Sequence, residues 1–178
     1  MNEIARGYWA NAICNSDFIC IETYSGYRGG TNRDPKGRQY FLNSDANEEA
    51  LGLAIRNALS HSRFVLAAPR SDITYSSEVE FDMELYDSKL GVERYVAWTK
   101  ALMERYNYKT KQALFKDMKC CNIINQSGLL TIRPTHHKAL EAWTRTKDDG
   151  IEDIIIPSEN SLIEIGAGLR TAFSRCTK

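Results

Sequence analysis

The sequence predicts one α+β domain spanning residues 1–178, with a mixed sheet of about four to five strands packed against helices. Residues 121–124 and 129–133 are rich in β-forming side chains, and the Asn-Gln-Ser-Gly between them predicts a hairpin in the C-terminal part. Ser161 and Glu164 then fit the S-x-x-E capping box that begins a C-terminal helix. The length suffices for a self-contained core, because a domain of about 150 residues buries roughly 70% of its unfolded surface.

The first half of the chain predicts two strands and a helix. Residues 17–24 (DFICIETY) favour a strand, and the glycine, proline and asparagine of residues 26–37 favour a long loop. Asp45, followed three positions later by Glu48, predicts the start of a helix of about four turns, with apolar residues spaced along one face. Residues 63–68 (RFVLAA) predict a short buried strand.

The second half predicts helices on both sides of the hairpin. Aromatic and leucine side chains spaced along residues 92–106 indicate an amphipathic helix, and residues 111–118 indicate a shorter one. After the hairpin, Thr135 is expected to cap a short helix that runs to Trp143. Residues 153–156 predict the last strand.

The C-terminal helix carries both an apolar face and two glycines. Gly166 and Gly168 lie inside it, where each glycine costs about 1 kcal/mol relative to alanine. We therefore expect both glycines to allow close packing of this helix against the sheet. The expected buried face consists of Leu162, Ile165, Leu169, Phe173 and Cys176.

The composition argues against several classes of protein. Lys and Arg total 23, as do Asp and Glu, so the net charge is zero and a general attraction to nucleic acid is not expected. The five cysteines include no C-x-x-C pair, so we predict neither a metal nor a cofactor. Asn2 and Glu3 stand where an export signal has basic residues, and no long apolar run follows. We expect a cytoplasmic protein without a membrane span.

Two adjacent histidines are the strongest enzymatic candidates. His136 and His137 could serve as general base and general acid, which gives a small hydrolase or nuclease as the alternative function. On the predicted helix, neighbouring side chains point about 100° apart and do not converge on one substrate. No G-x-S-x-G or H-E-x-x-H motif occurs, and the glycines of the last helix lack the third glycine of a dinucleotide-binding loop. We therefore assign no catalytic residue and expect a binding protein.

Five segments of the chain, in order, resemble the immunity proteins of bacterial contact-dependent growth inhibition (CDI) systems, the CdiI family. They are SGYRGGTNRDPKGRQYFL (25–42), AIRNALSHSRF (54–64), YKTKQALFKDMKCC (108–121), GLLTIRPTHHKALEAW (128–143) and IIIPSENSLIEIGAGLRTAFSRC (154–176). The resemblance implies a protein that binds the cognate CdiA C-terminal toxin domain 1:1 and is not an enzyme. It further implies that the toxin is a nuclease, with a ribonuclease favoured over a deoxyribonuclease. The length, which suffices for a full core, predicts a monomer when the protein is free.

Charge is unevenly distributed in two segments, which we expect to form oppositely charged faces. Residues 26–38 carry four basic side chains and one acid. The run EVEFDMEL alternates acidic and apolar residues, so as either a strand or a helix it would turn most of its carboxylates outward. This run is either a solvated surface or a docking surface for a basic nuclease toxin. The candidate toxin-binding residues are Glu78, Glu80, Asp82, Glu84 and Asp87.

Overall fold

The computed structural model of the protein describes residues 4–178. Asn2 and Glu3, on which the expectation about an export signal depends, lie outside the described residues. The elements follow one another as β1 (Gly7–Cys14), β2 (Phe18–Tyr27), β3 (Gly30–Arg33), β4 (Gln39–Asn43), α1 (Glu48–Ser60), β5 (Val65–Leu66), β6 (Glu80–Phe81), α2 (Met83–Tyr86), α3 (Ser88–Arg105), α4 (Lys111–Phe115), β7 (Lys119–Gln126), β8 (Leu129–Pro134), β9 (His136–Ala139), β10 (Ala142–Thr144), β11 (Ile154–Pro157) and α5 (Leu162–Arg175).

The main sheet has seven strands, and every pairing within it is antiparallel. Its order is β11-β8-β7-β1-β2, and β2 pairs with β4 along its first half and with β3 along its second. The predicted α+β fold is confirmed; the sheet has seven strands where about four to five were predicted, and its pairings are antiparallel where a mixed sheet was predicted. Strand β1 gave a weak signal because its inward-facing Ala10 and Ala12 are poor strand formers.

The sheet is covered on both faces. Helices α1 and α5 pack on one face, where the buried core includes Ala12, Ile21, Leu51, Ile55, Ile123, Ile132, Ile165 and Leu169. Helices α3 and α4 and the β9–β10 hairpin cover the other face, around Ile13, Phe18, Cys20, Leu102, Leu114, Phe115 and Met118. The period-two alternation of the strands explains this division, since successive residues of β1 and β2 point to opposite faces.

Local signals correctly predicted the β7–β8 hairpin and the start of α5. Ser127 and Gly128 have φ values of 52° and 77°, which gives the two-residue turn that suits antiparallel strands. The Ser161 hydroxyl accepts a hydrogen bond from the Glu164 amide at 3.2 Å, and the Glu164 carboxylate accepts one from the Ser161 amide at 2.9 Å. Helix α1, in contrast, is capped by Asn47 and not by Asp45, because the Asn47 side chain accepts from the Ala50 amide.

The helix predicted after Thr135 is in fact the β9–β10 hairpin. The Thr135 hydroxyl donates to the Cys120 carbonyl at 2.7 Å, and the Thr135 carbonyl accepts from the Thr177 amide at 3.2 Å, so this residue is tied to β7 and to the C-terminal segment. Trp143 pairs with His137 across the hairpin, and its indole N–H donates to the Met118 carbonyl at 3.0 Å. Contacts distant in sequence therefore override the local helix signal.

Helices α1 and α5 cross in backbone-to-backbone contact. A Cβ added to Gly166 would lie 1.8 Å from the Glu48 carbonyl oxygen, and one added to Gly52 would lie 1.9 Å from the Leu162 carbonyl oxygen. Gly168 faces the sheet, as predicted, with Ile154 nearest to its position at 3.4 Å. The prediction that both glycines pack against the sheet was wrong for Gly166, which instead packs against α1.

We expect the capping box and the buried face of α5 to contribute unequally to stability. Ser161→Ala removes one cap and should lower the free energy of unfolding by about 1 kcal/mol. Leu169 is fully buried, so Leu169→Ala should cost about 2–5 kcal/mol through the cavity it leaves. Urea unfolding followed by circular dichroism measures both. Equal and negligible effects would contradict the packing of this helix.

The glycine crossing gives a sharper test with a matched control. Gly166→Ala forces a methyl group against a backbone carbonyl and should destabilise the protein by about 3 kcal/mol or more. Gly91 lies in the exposed part of α3 with no atom near its added Cβ, so Gly91→Ala should stabilise by about 0.5–1 kcal/mol. Thermal unfolding of the two variants should therefore shift Tm in opposite directions. A Gly166→Ala protein as stable as the wild type would rule out the close crossing.

Candidate functional site

The acidic run is neither one strand nor one helix. Glu80 and Phe81 pair in parallel with Val65 and Leu66 as a two-stranded sheet, and the chain then turns into the single turn of α2. The buried side chains of the run are Val79 and Leu85, whereas Phe81 and Met83 are exposed. The predicted strand over 63–68 is correspondingly short. The expectation that the apolar residues of this run share one buried face therefore holds for two of the four, Val79 and Leu85.

Arg63 joins the acidic run to the basic segment that precedes it. Its guanidinium donates to both carboxylate oxygens of Asp34, at 2.7 and 2.9 Å, and also to Glu80 at 3.2 Å and Asp82 at 3.0 Å. Lys36 adds a second bond to Asp82 at 2.9 Å. The prediction of oppositely charged faces was therefore wrong, because ion pairing brings residues 26–38 and 78–87 into contact.

The proton affinities of this cluster follow from its hydrogen bonds. Burial raises the pKa of Asp34, but the hydrogen bonds from Arg63 and Ser25 outweigh it and hold that pKa below its usual value. The hydrogen bond from Lys36, with a further one from Arg63, also lowers the pKa of Asp82 despite partial desolvation. The hydrogen bond to Asp34 raises the pKa of Arg63, so Arg63, Asp34 and Asp82 are all ionised at neutral pH.

The remaining acids of the run differ in how much of their charge is compensated. Glu78 pairs with Arg6 at 3.2 Å on the surface. Asp87 caps α3 by accepting from the Leu90 amide at 2.9 Å, which starts that helix at Ser88, earlier than predicted. Both Glu84 and Asp87 are exposed, and neither forms an ion pair with a residue in the described part of the chain. Glu84 and Asp87 are therefore the acids of this run without an ion-pair partner, although the Arg94 guanidinium donates to the backbone carbonyl of Glu84 at 3.0 Å.

Helix α3 is attached to the sheet by a buried polar cluster that the sequence did not suggest. Glu22 is 4% exposed and accepts hydrogen bonds from the Trp98 indole at 2.7 Å, from Gln39 at 3.1 Å and from Arg33. The Arg33 guanidinium also stacks 3.9 Å from the Trp98 ring. A strand carboxylate and a helix tryptophan 76 positions apart give no local pattern that could have revealed this contact.

The first half of α3 stands away from the sheet. Only Thr99 and Leu102 of this helix are buried, while Val92 and Val96 are 64% and 56% exposed. A cleft of about 470 Å³ lies between this half and the β2–β3 hairpin, and it is lined in part by Arg33, Tyr86, Asp87, Val92, Arg94 and Tyr95. The start of α3 therefore presents exposed apolar side chains beside the uncompensated acids.

The two candidate catalytic histidines serve separate local contacts. They are adjacent on strand β9, so their side chains leave opposite faces of the strand. His136 Nδ1 lies 2.8 Å from the Thr177 hydroxyl, whereas His137 Nε2 lies 3.0 Å from the Leu140 carbonyl oxygen and its ring stacks on Trp143. They do not converge on a shared site, which gives the hydrolase or nuclease alternative no support.

Residues 4–178 contain neither a membrane-spanning helix nor a cluster of metal ligands. None of the helices there is both long enough and apolar enough to cross a membrane. In the same part of the chain, no three His, Cys, Asp or Glu side chains are grouped as ligands for a metal ion.

Comparison with known proteins places this charged α+β domain among the immunity proteins. A family model described as CDI immunity protein, CdiI, matches residues 8–176, and the chain belongs to that family. It is 51% identical over 176 residues to the immunity protein CdiI-YPIII of Yersinia pseudotuberculosis serotype O:3 (strain YPIII), covering 99% of each chain.

Two solved structures extend the comparison. The chain is similar to a chain of the CdiA-CT/CdiI toxin and immunity complex from Yersinia pseudotuberculosis, with a TM-score of 0.94 and 50% identity over 98% of this chain and 100% of that one. It is also similar to a protein of unknown function from Neisseria meningitidis, with a TM-score of 0.81 and 35% identity over 99% and 98% of the two chains.

We expect the Arg63 cluster to contribute strongly to stability. Arg63→Ala leaves the buried carboxylate of Asp34 without its ionic partner and should lower the free energy of unfolding by about 3 kcal/mol. The exposed Arg6–Glu78 pair provides the control, since Glu78→Gln should cost less than about 1 kcal/mol. Chemical denaturation at pH 7 compares them. Equal costs for the two variants would contradict the special role of Arg63.

The same cluster sets the direction of the pH dependence. The pKa values of Asp34 and Asp82 are lowered in the folded protein. Their stabilisation is therefore complete above the unfolded-state pKa of about 3.9 and is lost as pH falls through the lower folded-state values. The difference in stability between wild type and Arg63→Ala should shrink below about pH 4. A constant difference from pH 7 to pH 2.5 would contradict this assignment.

Proposed function

We propose that this protein binds the cognate CdiA C-terminal toxin domain in a 1:1 complex and thereby keeps it inactive. The protein acts as a monomer in the cytoplasm and carries out no catalysis itself. The observation that supports the proposal most strongly is the full-length likeness, at a TM-score of 0.94 and 50% identity, to a chain of a CdiA-CT/CdiI toxin and immunity complex. Similarity across the whole chain, and not over one motif, favours a shared partner class.

The partner is proposed to be a nuclease. An enzyme that cleaves RNA or DNA must hold phosphates, so positive charge surrounds its active site. A negatively charged surface attracts such an enzyme and competes with its substrate for the same groove. The proposed complement on this protein is the acidic run, Glu78, Glu80, Asp82, Glu84 and Asp87.

Within that run, we assign the ion-paired acids to holding the segment in place and the unpaired acids to binding the toxin. Asp82 is bound by Arg63 and Lys36, so its charge is largely compensated and its main task is to fix the segment in place. Glu84 and Asp87 carry the negative charge that a partner would meet first. The exposed Val92, which follows on α3, adds apolar area at the same place. Charge at the rim with apolar area beside it is typical of protein interfaces.

The direct experiment is co-expression with the toxin domain encoded beside this chain. The complex should elute as a 1:1 species, and the toxin's cleavage of RNA or DNA should stop at one equivalent of this protein. A toxin from another CDI system serves as the specificity control and should remain active. Failure to form a complex would refute the proposal, as would nuclease activity of the protein alone that His136→Ala and His137→Ala abolish.

We expect the association to be steered by Glu84 and Asp87. The double variant Glu84→Gln/Asp87→Asn keeps the side-chain shapes, and asparagine can still cap α3. Its association rate with the toxin should fall by about three- to tenfold at low ionic strength, with a weaker dependence on salt, because surface charge acts mainly on the encounter rate. Stopped-flow measurements at two salt concentrations would provide both quantities.

The matched control for this variant removes two charges elsewhere. Asp148 and Glu159 are exposed and lie on either side of β11, which forms the opposite edge of the main sheet from β3 and β4. Asp148→Asn/Glu159→Gln changes the net charge by the same amount but should leave the association rate within about twofold of wild type. Equal slowing by both double variants would mean that net charge, and not a local surface, governs the encounter.

A further inference from the structure

We propose that Cys121 and Cys176 form a redox-active dithiol that small-molecule disulfides of the glutathione type convert to an internal disulfide. The two sulfur atoms lie 3.7 Å apart, although the residues are 55 positions apart in the chain. Cys121 lies on strand β7 near the centre of the main sheet, and Cys176 is the residue that ends helix α5. Neither residue contributes to the surface proposed for toxin binding.

The two thiols differ in their exposure to solvent and in their pKa. Cys176 is part-exposed, whereas Cys121 is fully buried behind it. The hydrogen bond from Cys121 outweighs desolvation and lowers the pKa of Cys176 to about 7. Burial raises the pKa of Cys121 well above its usual value, and it raises that of Cys120 to about 12. Cys176 is therefore the thiol that reacts first, because the thiolate is the nucleophile.

The reaction proceeds in two displacements. The thiolate of Cys176 attacks one sulfur of oxidised glutathione, forming a Cys176–glutathione mixed disulfide and releasing one glutathione thiolate. The thiol of Cys121 then gives its proton to that released thiolate and attacks the Cys176 sulfur. A second glutathione leaves and takes a proton from solvent. The protein loses two electrons and two protons, and one oxidised glutathione becomes two reduced molecules.

The cross-link requires a small movement that the structure permits. The sulfur–sulfur distance must contract from 3.7 Å to about 2.05 Å. Cys121 is held by pairing with both Ala12 and Pro134, so its strand stays fixed. Cys176 has left the helical conformation, with φ −62° and ψ 138°, and its amide N–H donates only a long hydrogen bond, at 3.4 Å, to the Phe173 carbonyl. Thr177 is bound to Thr135 and His137 by backbone hydrogen bonds, so the movement is confined to the Cys176 side chain and the turn that precedes it.

Two neighbouring cysteines, Cys120 and Cys14, are alternative disulfide partners for Cys176. Cys120 precedes Cys121 on the strand, so its side chain points to the opposite face of the sheet, among the residues that pack under α3 and α4. Cys14 lies on the same face as Cys121 and packs against the same core cluster. Cys121 is distinguished from Cys14 by its position, since its sulfur lies 3.7 Å from that of Cys176.

The test exposes the folded protein to oxidised glutathione, stops the reaction with acid, and then labels the denatured protein with N-ethylmaleimide at neutral pH, because Cys121 is fully buried in the folded state. Mass spectrometry counts the labels. Wild type should lose two hydrogens and take up two fewer labels than the reduced protein, and dithiothreitol should reverse both changes. Cys120→Ser and Cys14→Ser should behave like wild type. Cys121→Ser should instead retain one glutathione on Cys176, because no second thiol can displace it. Cys176→Ser should show neither product, and it changes only a part-exposed side chain outside the helix.

Several outcomes would overturn the proposal. They are full labelling of wild type after exposure to excess oxidised glutathione, accumulation of glutathionylated wild type without the internal disulfide, and a cross-link that persists in Cys121→Ser. The disulfide should also raise Tm by about 5–10 °C, since it closes a long loop between the sheet and α5. An oxidised protein that unfolds at the same temperature as the reduced one would refute the cross-link between these elements.

Discussion

The close crossing of α1 and α5 at Gly52 and Gly166 is the constraint on which the other contacts depend. Since backbone meets backbone there, α1 can lie low over the sheet, where the Thr23 hydroxyl reaches the Ala58 carbonyl at 2.7 Å. The chain that leaves α1 is then bound to strand β2, because the Arg63 amide donates to the Ser25 hydroxyl at 2.8 Å. The position of α1 therefore determines the position of the Arg63 guanidinium.

Arg63 links the position of α1 to the acidic run on the surface through its ion pairs. It holds the buried Asp34 of the segment after β3 and, through Glu80 and Asp82, the start of the acidic run. A partly buried cation with three carboxylate partners is stabilising only while all of them stay in place, since an orphaned buried charge is costly. The geometry of α2 and of the first turn of α3 thus depends on the α1–α5 crossing, which lies on the other face of the sheet from α3. A surface held in this way is preorganised for a partner, which limits the entropy lost on binding.

Sequence reasoning succeeded where the deciding interactions are local. The Ser161–Glu164 box and the turn at Ser127 were recognisable because each depends on residues a few positions apart. It failed where distant contacts decide, as in the hairpin that replaces the helix predicted after Thr135. For the candidate site, the acids were found but their partners were not, because Arg63 contacts Asp34 across 29 positions. The family resemblance was confirmed over nearly the whole chain, whereas the toxin-binding residues stay a prediction.

The most direct test of toxin docking at α2 and the start of α3 is hydrogen–deuterium exchange of this protein, free and bound to its toxin domain. Binding should slow amide exchange most strongly in residues 80–94, because both the covered surface and the ion-paired segment that supports it are then held in place. The opposite edge of the sheet, residues 154–163, should exchange at the same rate in both states. Protection confined to that opposite edge, with residues 80–94 unchanged, would contradict the proposed docking surface.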